Sequence, residues 1–245
     1  MIKTIWETII YEPLYNTLVF ILNFVPGNYA WVGIIVLTIL IRILLFPVYQ
    51  KIIKSQKALK EVQPLVKEIQ EKYKNDKQTL GIKIMEVYKE KKVNPFSMIG
   101  YLLFVQVPIF LGLYFVFSKG LVHHTGALYS FIHFPEIVNT FFFNIDLMVK
   151  GSFVIAILAG AAQYFHSRST LALQPIVPAR KQGEIPNFQD ELQRSLRFQT
   201  LYFIPILITV TAFYFPAAIG LYWIMNSLFS IAQEKFVQMK DKKNI

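Results

Sequence analysis

The chain has 245 residues, 54% hydrophobic and 16% aromatic, with a formal charge of +10. Its mean hydropathy of +0.43, together with the aromatic excess, places it among integral membrane proteins rather than soluble domains. The sequence holds no cysteine, which excludes disulfides, thiol chemistry, Cys-ligated metals and a lipid-modified amino-terminal Cys.

The opening stretch, MIKTIWETIIYEPLYN, lacks the cationic segment, short apolar core and small-residue cleavage site of a secretory signal. In residues 9–25, Glu12, Asn16 and Asn23 share one helical face, and Leu14, Leu18, Ile21 and Val25 the other. Pro13 suits a first helical turn and Pro26-Gly27 an end. The pattern predicts an amphipathic helix lying in the outer interface, within an extracytoplasmic segment 1–28. A sixth span is the rival reading.

Five apolar segments follow: 29–48, 97–117, 147–166, 198–214 and 217–233. About 20 apolar residues cross a typical hydrocarbon core. The last two segments are shorter and are joined by YFPAA (214–218), which predicts an antiparallel pair that thins the bilayer locally. Lys and Arg orient the bundle. The 49–96 segment holds twelve lysines, the 167–197 loop five Lys/Arg and the 234–245 tail four, against Lys119 alone in 118–146. Segments 49–96, 167–197 and the tail are therefore expected in the cytoplasm, with 118–146 and the amino end outside. The predicted fold is all-α: a polytopic membrane protein of five transmembrane helices, an amino-terminal interfacial helix and a cytoplasmic helical hairpin.

The hairpin is read from two stripes. Ala58, Val62, Leu65, Ile69 and Tyr73 recur at helical spacing, with a kink expected at Pro64. After the Asn75-Asp76 turn, Leu80, Ile84 and Val87 or Tyr88 form the second stripe, and facing stripes make an antiparallel pair. The insert reads either as a mobile paddle for nascent chains, ribosome or lipid headgroups, or as a solvated positive-inside loop. Six acidic residues alternate with its lysines and base-stacking aromatics are few, so no nucleic-acid substrate is expected.

Arg42 stands more than twelve residues into the first apolar run. Burying it costs about 2.5–3.5 kcal/mol on insertion scales, and ionisable residues within spans mark functional positions by default. Two readings compete. Pro47-Val48 lies roughly 9 Å along the helix at 1.5 Å rise, within snorkelling reach of the inner headgroups. Alternatively, Arg42 faces a wet cavity inside the bundle. Walls for that cavity are available: Thr38 one turn above it, Gln106 beside Pro108, Ala156, Gly160 and Gln163 on the third span, and Trp223, Asn226, Ser230 and Gln233 on the fifth. Each amide alone reads as interhelical glue worth about 1 kcal/mol; together they offer a polar lining on four of five helices. No span as bounded contains an acidic residue to neutralise Arg42, and Asp146 and Lys150 are spaced to pair with each other. An unpaired cation in a hydrated groove lowers the cost of admitting a polar or acidic peptide segment. Proton or metal transport fits poorly, because the spans offer no carboxylate relay.

IRILLFPVYQK with its buried Arg, the lysine-rich insert, VNPFSMIGYLLFVQVPIFLGLY (93–114) and IGLYWIMNSLFSIAQ (219–233) together resemble the YidC/Oxa/Alb membrane protein insertase family. The resemblance runs from about residue 10 onward. It implies five core helices around a cytoplasm-open hydrophilic groove, a coiled cytoplasmic hairpin, residence in the bacterial cytoplasmic membrane, and insertion of nascent membrane proteins without nucleotide hydrolysis. It implies no cofactor, metal or catalytic residue. Arg42 matches the family's groove arginine, and Gln163 and Trp223 look like groove-lining positions; Gln106, Thr38 and Asn226 join them by helical phase. Two departures are expected: no large extracytoplasmic domain and no lipoprotein-type start. Ribosome, Sec translocon and membrane lipids are candidate partners, with the short basic tail as one ribosome contact. A small-solute transporter or channel is the alternative, although the inverted repeats it predicts are not evident. An intramembrane hydrolase fits worse: His123, His124 and His133 fall in the outer loop and His166 ends the third span without a serine motif.

Overall fold

The computed structural model describes residues 6–73, 76–94, 96–119, 121, 127–173 and 188–243. Among them the chain forms eight helices and one two-stranded hairpin. Helix α1 begins with a π-helical turn, Glu7–Tyr11, and continues as Glu12–Phe24. Then come α2 (Ala30–Leu44), α3 (Phe46–Lys72) and α4 (Lys77–Glu90). Helix α5 joins Ser97–Tyr101, a π-turn Leu102–Gln106, and Val107–Ser118. Helix α6 is Phe153–Leu173, α7 joins Phe188–Phe198, a π-turn Gln199–Phe203 and Ile204–Tyr214, and α8 is Ala217–Lys243.

Each π-turn stops two residues before a proline: Pro13, Pro108 and Pro205. Proline has no N–H for the carbonyl four residues back, and its ring crowds that carbonyl. Opening the ladder to five-residue spacing makes room. Accordingly, Glu12, Val107 and Ile204 N–H donate to Glu7, Leu102 and Gln199 O.

Several boundaries differ from those read in the sequence. The first apolar helix ends at Leu44, and α3 departs at 62°; Pro47 opens the new helix instead of prolonging the old one to residue 48. Helix α3 runs through Pro64 without a break. The third apolar segment becomes helical only at Phe153. Before it, β1 (Phe141–Phe142) pairs with β2 (Ile145–Asp146), and residues 147–151 lace onto the α7–α8 turn. There Leu147 O and Val149 O accept Ala218 and Ala217 N–H, and Gly151, at φ +87°, donates to Phe213 O. Asp146 accepts Met148 N–H instead of pairing with Lys150. Helix α8 continues through the segment read as a tail. By length and apolarity one helix, Arg194–Tyr214, qualifies as a span among the described residues, or two if the bent α2–α3 pair counts as one.

The core gathers α1, α2, α5, α6, the end of α7 and the start of α8, with Tyr15, Leu18, Leu22, Ile34, Phe117, Ile155 and Ile219 fully enclosed. Glycines set its closest approaches. Gly33 lies against Leu18 and Leu22, Gly112 against Ile10 and Leu14, Gly160 against Thr209, and Gly220 against Ile155. Outside this core the surface is strongly apolar, with Phe104 80% and Leu44 78% exposed.

Of the polar face expected on α1, Asn16 is turned inward while Asn23 stays exposed. Asn16 is buried; its amide donates to Ala127 O at 2.6 Å and its carbonyl accepts Tyr129 N–H at 2.7 Å. Asn23 donates to His133 O and Asn28 to Ile137 O. Three asparagines thus hold the 127–137 stretch on the bundle. Asn16→Leu should leave Tyr129 N–H without its acceptor, at about 1–3 kcal/mol. Hydrogen exchange at Tyr129 should then quicken more than tenfold; unchanged exchange would show that the stretch is held otherwise.

The α3–α4 pair forms the expected hairpin, with Lys74 and Asn75 outside the described residues. Along the predicted α3 stripe Val62 is buried, as is Val66, whereas Leu65 is exposed. Asp76 caps α4, accepting Gln78 N–H, Thr79 N–H and the Thr79 hydroxyl. These bonds hold its carboxyl below the usual carboxylate range. A lowered folded-state pKa stabilises above the unfolded value, about 3.9, and the benefit is lost as pH falls through the lower folded value. Protection of Thr79 N–H should therefore hold from neutral pH to about 4 and fail below it. In Asp76→Ala it should be weak at every pH; full protection in that variant would exclude the cap.

Candidate functional site

Arg42 decides between the two readings of its position. It is 3% exposed and points to α8, not to the headgroups. Its Nε donates to Asn226 Oδ1 at 2.8 Å, and Nη2 donates to Asn226 O at 3.0 Å and to Ser230 Oγ. The Ser230 hydroxyl in turn donates to Asn226 O. The Tyr49 ring, from the first turn of α3, lies against the guanidinium with its centroid 5.0 Å from Cζ, an arrangement that favours a desolvated cation. Nη1 is buried without a hydrogen-bond partner.

The chain bends by 62° after Leu44, and Pro47 opens α3, whose first turn carries Tyr49. Seven residues apart, Arg42 and Tyr49 start from nearly the same helix face, and the ring meets the guanidinium across the bend. Helix α8 supplies the other wall because Asn226, Ser230 and Glu234 repeat every fourth residue on one face.

Glu234, outside every span as bounded in the sequence, brings a carboxylate to Tyr49, the residue whose ring lies against Arg42. The sequence boundary at 233 places it in the tail, yet it is fully buried. Its Oε1 accepts from Thr170 Oγ1 at 2.6 Å and from Tyr49 OH at 3.4 Å, and lies 3.5 Å from His166 Nε2. His166 Nε2 is also 3.2 Å from Tyr49 OH. The carboxylate and guanidinium therefore sit on opposite ends of the same tyrosine, the anion on its hydroxyl and the cation on its ring. Glu234 Oε2, His166 Nδ1 and Gln233 Oε1 are further buried polar atoms without partners.

The remaining predicted residues divide. Gln163 donates to Ser167 Oγ and accepts from Ser227 Oγ, both at 3.3 Å, tying α6 to α8. Gln106 donates to Tyr222 OH at 2.9 Å and accepts from Tyr101 OH at 3.4 Å. Gln233 donates to Phe46 O at 3.1 Å, bracing the α2–α3 bend. Two residues do not join the polar lining. Thr38 is buried, but its hydroxyl bonds Ile34 O of its own helix. Trp223 stacks on Phe110, centroids 5.2 Å apart, within an aromatic cluster that includes Phe215. Tyr49, His166, Thr170 and Glu234 are the members that the sequence reading missed. For Glu234 the four-residue phase from Asn226 was the available signal. Among the described residues no group of three or more acidic, His or Cys side chains could hold a metal ion.

Chemically the cluster is a buried cation with spare donors, a carboxylate at one remove, and neutral amides and hydroxyls on three helices. It can bind a carboxylate or a polar peptide segment.

Comparisons with known proteins agree with this architecture. Residues 20–244 match the family model described as 60Kd inner membrane protein. The membrane protein insertase YidC of Oleidesulfovibrio alaskensis is 34% identical over 237 residues, covering 96% of this chain and 39% of that protein. Its namesake from Burkholderia multivorans is 31% identical, covering 96% and 36%, and that of Campylobacter jejuni 30%, covering 94% and 37%. The chain thus spans well under half the length of these relatives. With nearly its whole length matched by the family model, the chain belongs to the 60Kd inner membrane protein family, the YidC/Oxa/Alb insertases that its sequence resembles.

Proposed function

We propose that the chain is a membrane protein insertase that receives hydrophilic segments of nascent membrane proteins at the Arg42 cluster. The observation that carries this reading is the guanidinium itself, enclosed between α2, α3 and α8 with Nη1 unpartnered. A cation costly to bury and left with free donors is a receptor awaiting an acceptor. The names of the relatives at 30–34% identity support the same reading.

In this proposal five spans cross the cytoplasmic membrane, centred on α2, α5, α6, α7 and the first half of α8, with the amino end outside and the α3–α4 hairpin inside. The Lys/Arg distribution supports that orientation, and the exposed apolar belt supports lipid contact. A client's polar tail enters from the cytoplasm and is held at Arg42 through an acidic residue or its peptide carbonyls. The client's apolar helix passes along the outer surface into lipid. Burial of its side chains, at about 25 cal/mol per Å², drives release, and the membrane potential draws negative tails outward. Nascent chains and lipids are the expected partners, with ribosome and Sec translocon as candidates. Purified protein in liposomes should protect a single-span client from protease without passing small solutes. Solute flux without client protection would favour a transporter.

A further inference from the structure

A guanidinium has five N–H groups in a planar fork, and its strongest grip on a carboxylate uses two parallel N–H groups at once. In this chain three of the five are spoken for. Nε–H goes to Asn226 Oδ1, and both Nη2 hydrogens go to Asn226 O and Ser230 Oγ. The two on Nη1 have no partner, and the Tyr49 ring stands against the guanidinium 5.0 Å from Cζ. We infer that Asn226 and Ser230 are specificity-determining residues that limit Arg42 to a one-point grip through Nη1, so that acidic segments are held briefly and released.

This inference rests on the receiving role proposed above and adds how tightly that role is played. A two-point fork in a desolvated site would hold a client carboxylate firmly, which suits an enzyme binding its substrate but would stall a protein that must let its cargo go. Helix α8 avoids this by presenting its own neutral acceptors, which engage the guanidinium without neutralising it. The charge that attracts an acidic tail stays, while the geometry that would trap it is removed. Ser230 is suited to the task because its hydroxyl donates to Asn226 O and so keeps its lone pairs turned to Arg42.

The test uses the full chain in liposomes and a single-span client whose polar tail carries a photo-crosslinker and either one Asp or one Asn. The fraction of tail crosslinked by a brief flash is measured at increasing delays after a pulse of client, and its decay gives the tail's lifetime at the site. Ser230→Ala returns an Nη2 N–H beside Nη1, and the Asp-tail lifetime should lengthen about tenfold, the equivalent of one more hydrogen bond to a charged group, while the Asn-tail lifetime stays the same. Ser230→Gly removes the same hydroxyl and should act in the same direction, which covers the case in which Ser230→Ala does not accumulate. Lifetimes that stay unchanged, or that shift equally for both tails, overturn the inference. Arg42→Ala provides the separating arm: if it leaves Asp-tail capture intact, the receiving role itself fails, whereas loss of capture there with unaltered lifetimes in the α8 variants removes only the one-point grip.

Discussion

Arg42→Ala should lower insertion of a client with one acidic residue in its tail by roughly 10–100-fold, the worth of one hydrogen bond to a charged group in a buried site. The same variant should insert an uncharged-tail client to within a few-fold of the parent. Arg42→Lys should keep part of the acidic-tail activity. An ammonium retains the charge, but it is a point donor that cannot span Asn226 and Ser230 in the plane of the guanidinium. The variant chain should still fold. Removing Arg42 leaves Asn226 and Ser230 with a bond between them, and deletes a group whose burial is itself costly. Scoring protease protection of paired clients, Asp against Asn in an otherwise identical tail, measures the ratio directly. Equal losses for both clients would mean that Arg42 supports the bundle and not the cargo.

Gly160→Ala should destabilise the bundle at the crossing of α6 and α7 even though alanine is the better helix former. A Cβ at this position would collide with Thr209 Oγ1 and come within 3.1 Å of Pro205 O. The threonine is not free to swing aside without loss, since its hydroxyl donates to Pro205 O at 2.9 Å, and Pro205 O is backbone. Gly→Ala gains about 1 kcal/mol in helix propensity, while overpacking a close crossing costs typically 1–3 kcal/mol, so the net effect is a loss. Gly160→Leu should separate the helices altogether. Each kcal/mol lowers the midpoint of thermal unfolding in detergent by roughly 2–4 °C for a chain of this size. Thr209→Ala added to Gly160→Ala should recover part of the loss, because it removes the nearer of the two obstacles. Additive losses in the double variant would show that the two positions do not oppose each other.

The local rules that made the Arg42 cluster legible also mark where legibility ended. Arg42, Asn226 and Ser230 could be placed together because an ionisable residue in an apolar run must find polar company, and four-residue phase on α8 offered it. Glu234 continues that same phase, but the apolar run stops at residue 233, and a boundary drawn on hydropathy cut it off. Hydropathy reports where the apolar run ends; the helix goes on to Lys243 and its buried face includes Val237. Tyr49 was hidden by a bend. In a straight helix it would share Arg42's face two turns on, about 10.5 Å further along; the bend after Leu44 changes the direction from which its ring meets the guanidinium. Thr38 shows that phase says which way a side chain starts, not where its hydroxyl bonds: a threonine in a helix can satisfy itself on the carbonyl four residues back. Trp223 found a face-to-face neighbour in Phe110, an aromatic contact across two helices that no local pattern encodes. The asparagines of α1 show the same limit. Their partners lie more than a hundred residues away, so the polar side of an amphipathic pattern is bonded to the 127–137 stretch.

Because the chain contains no cysteine, single cysteines can report on the cluster without background. Ser230→Cys places a thiol beside Arg42 while leaving the guanidinium in place, and Ile206→Cys places one on the apolar exterior, where the native side chain is 62% exposed. A client carrying one cysteine in its polar tail is halted during insertion and oxidised. Disulfide trapping of the tail at position 230 and not at 206 is the predicted result; trapping at 206 with none at 230 would place the polar tail outside the bundle and contradict a receiving site at Arg42.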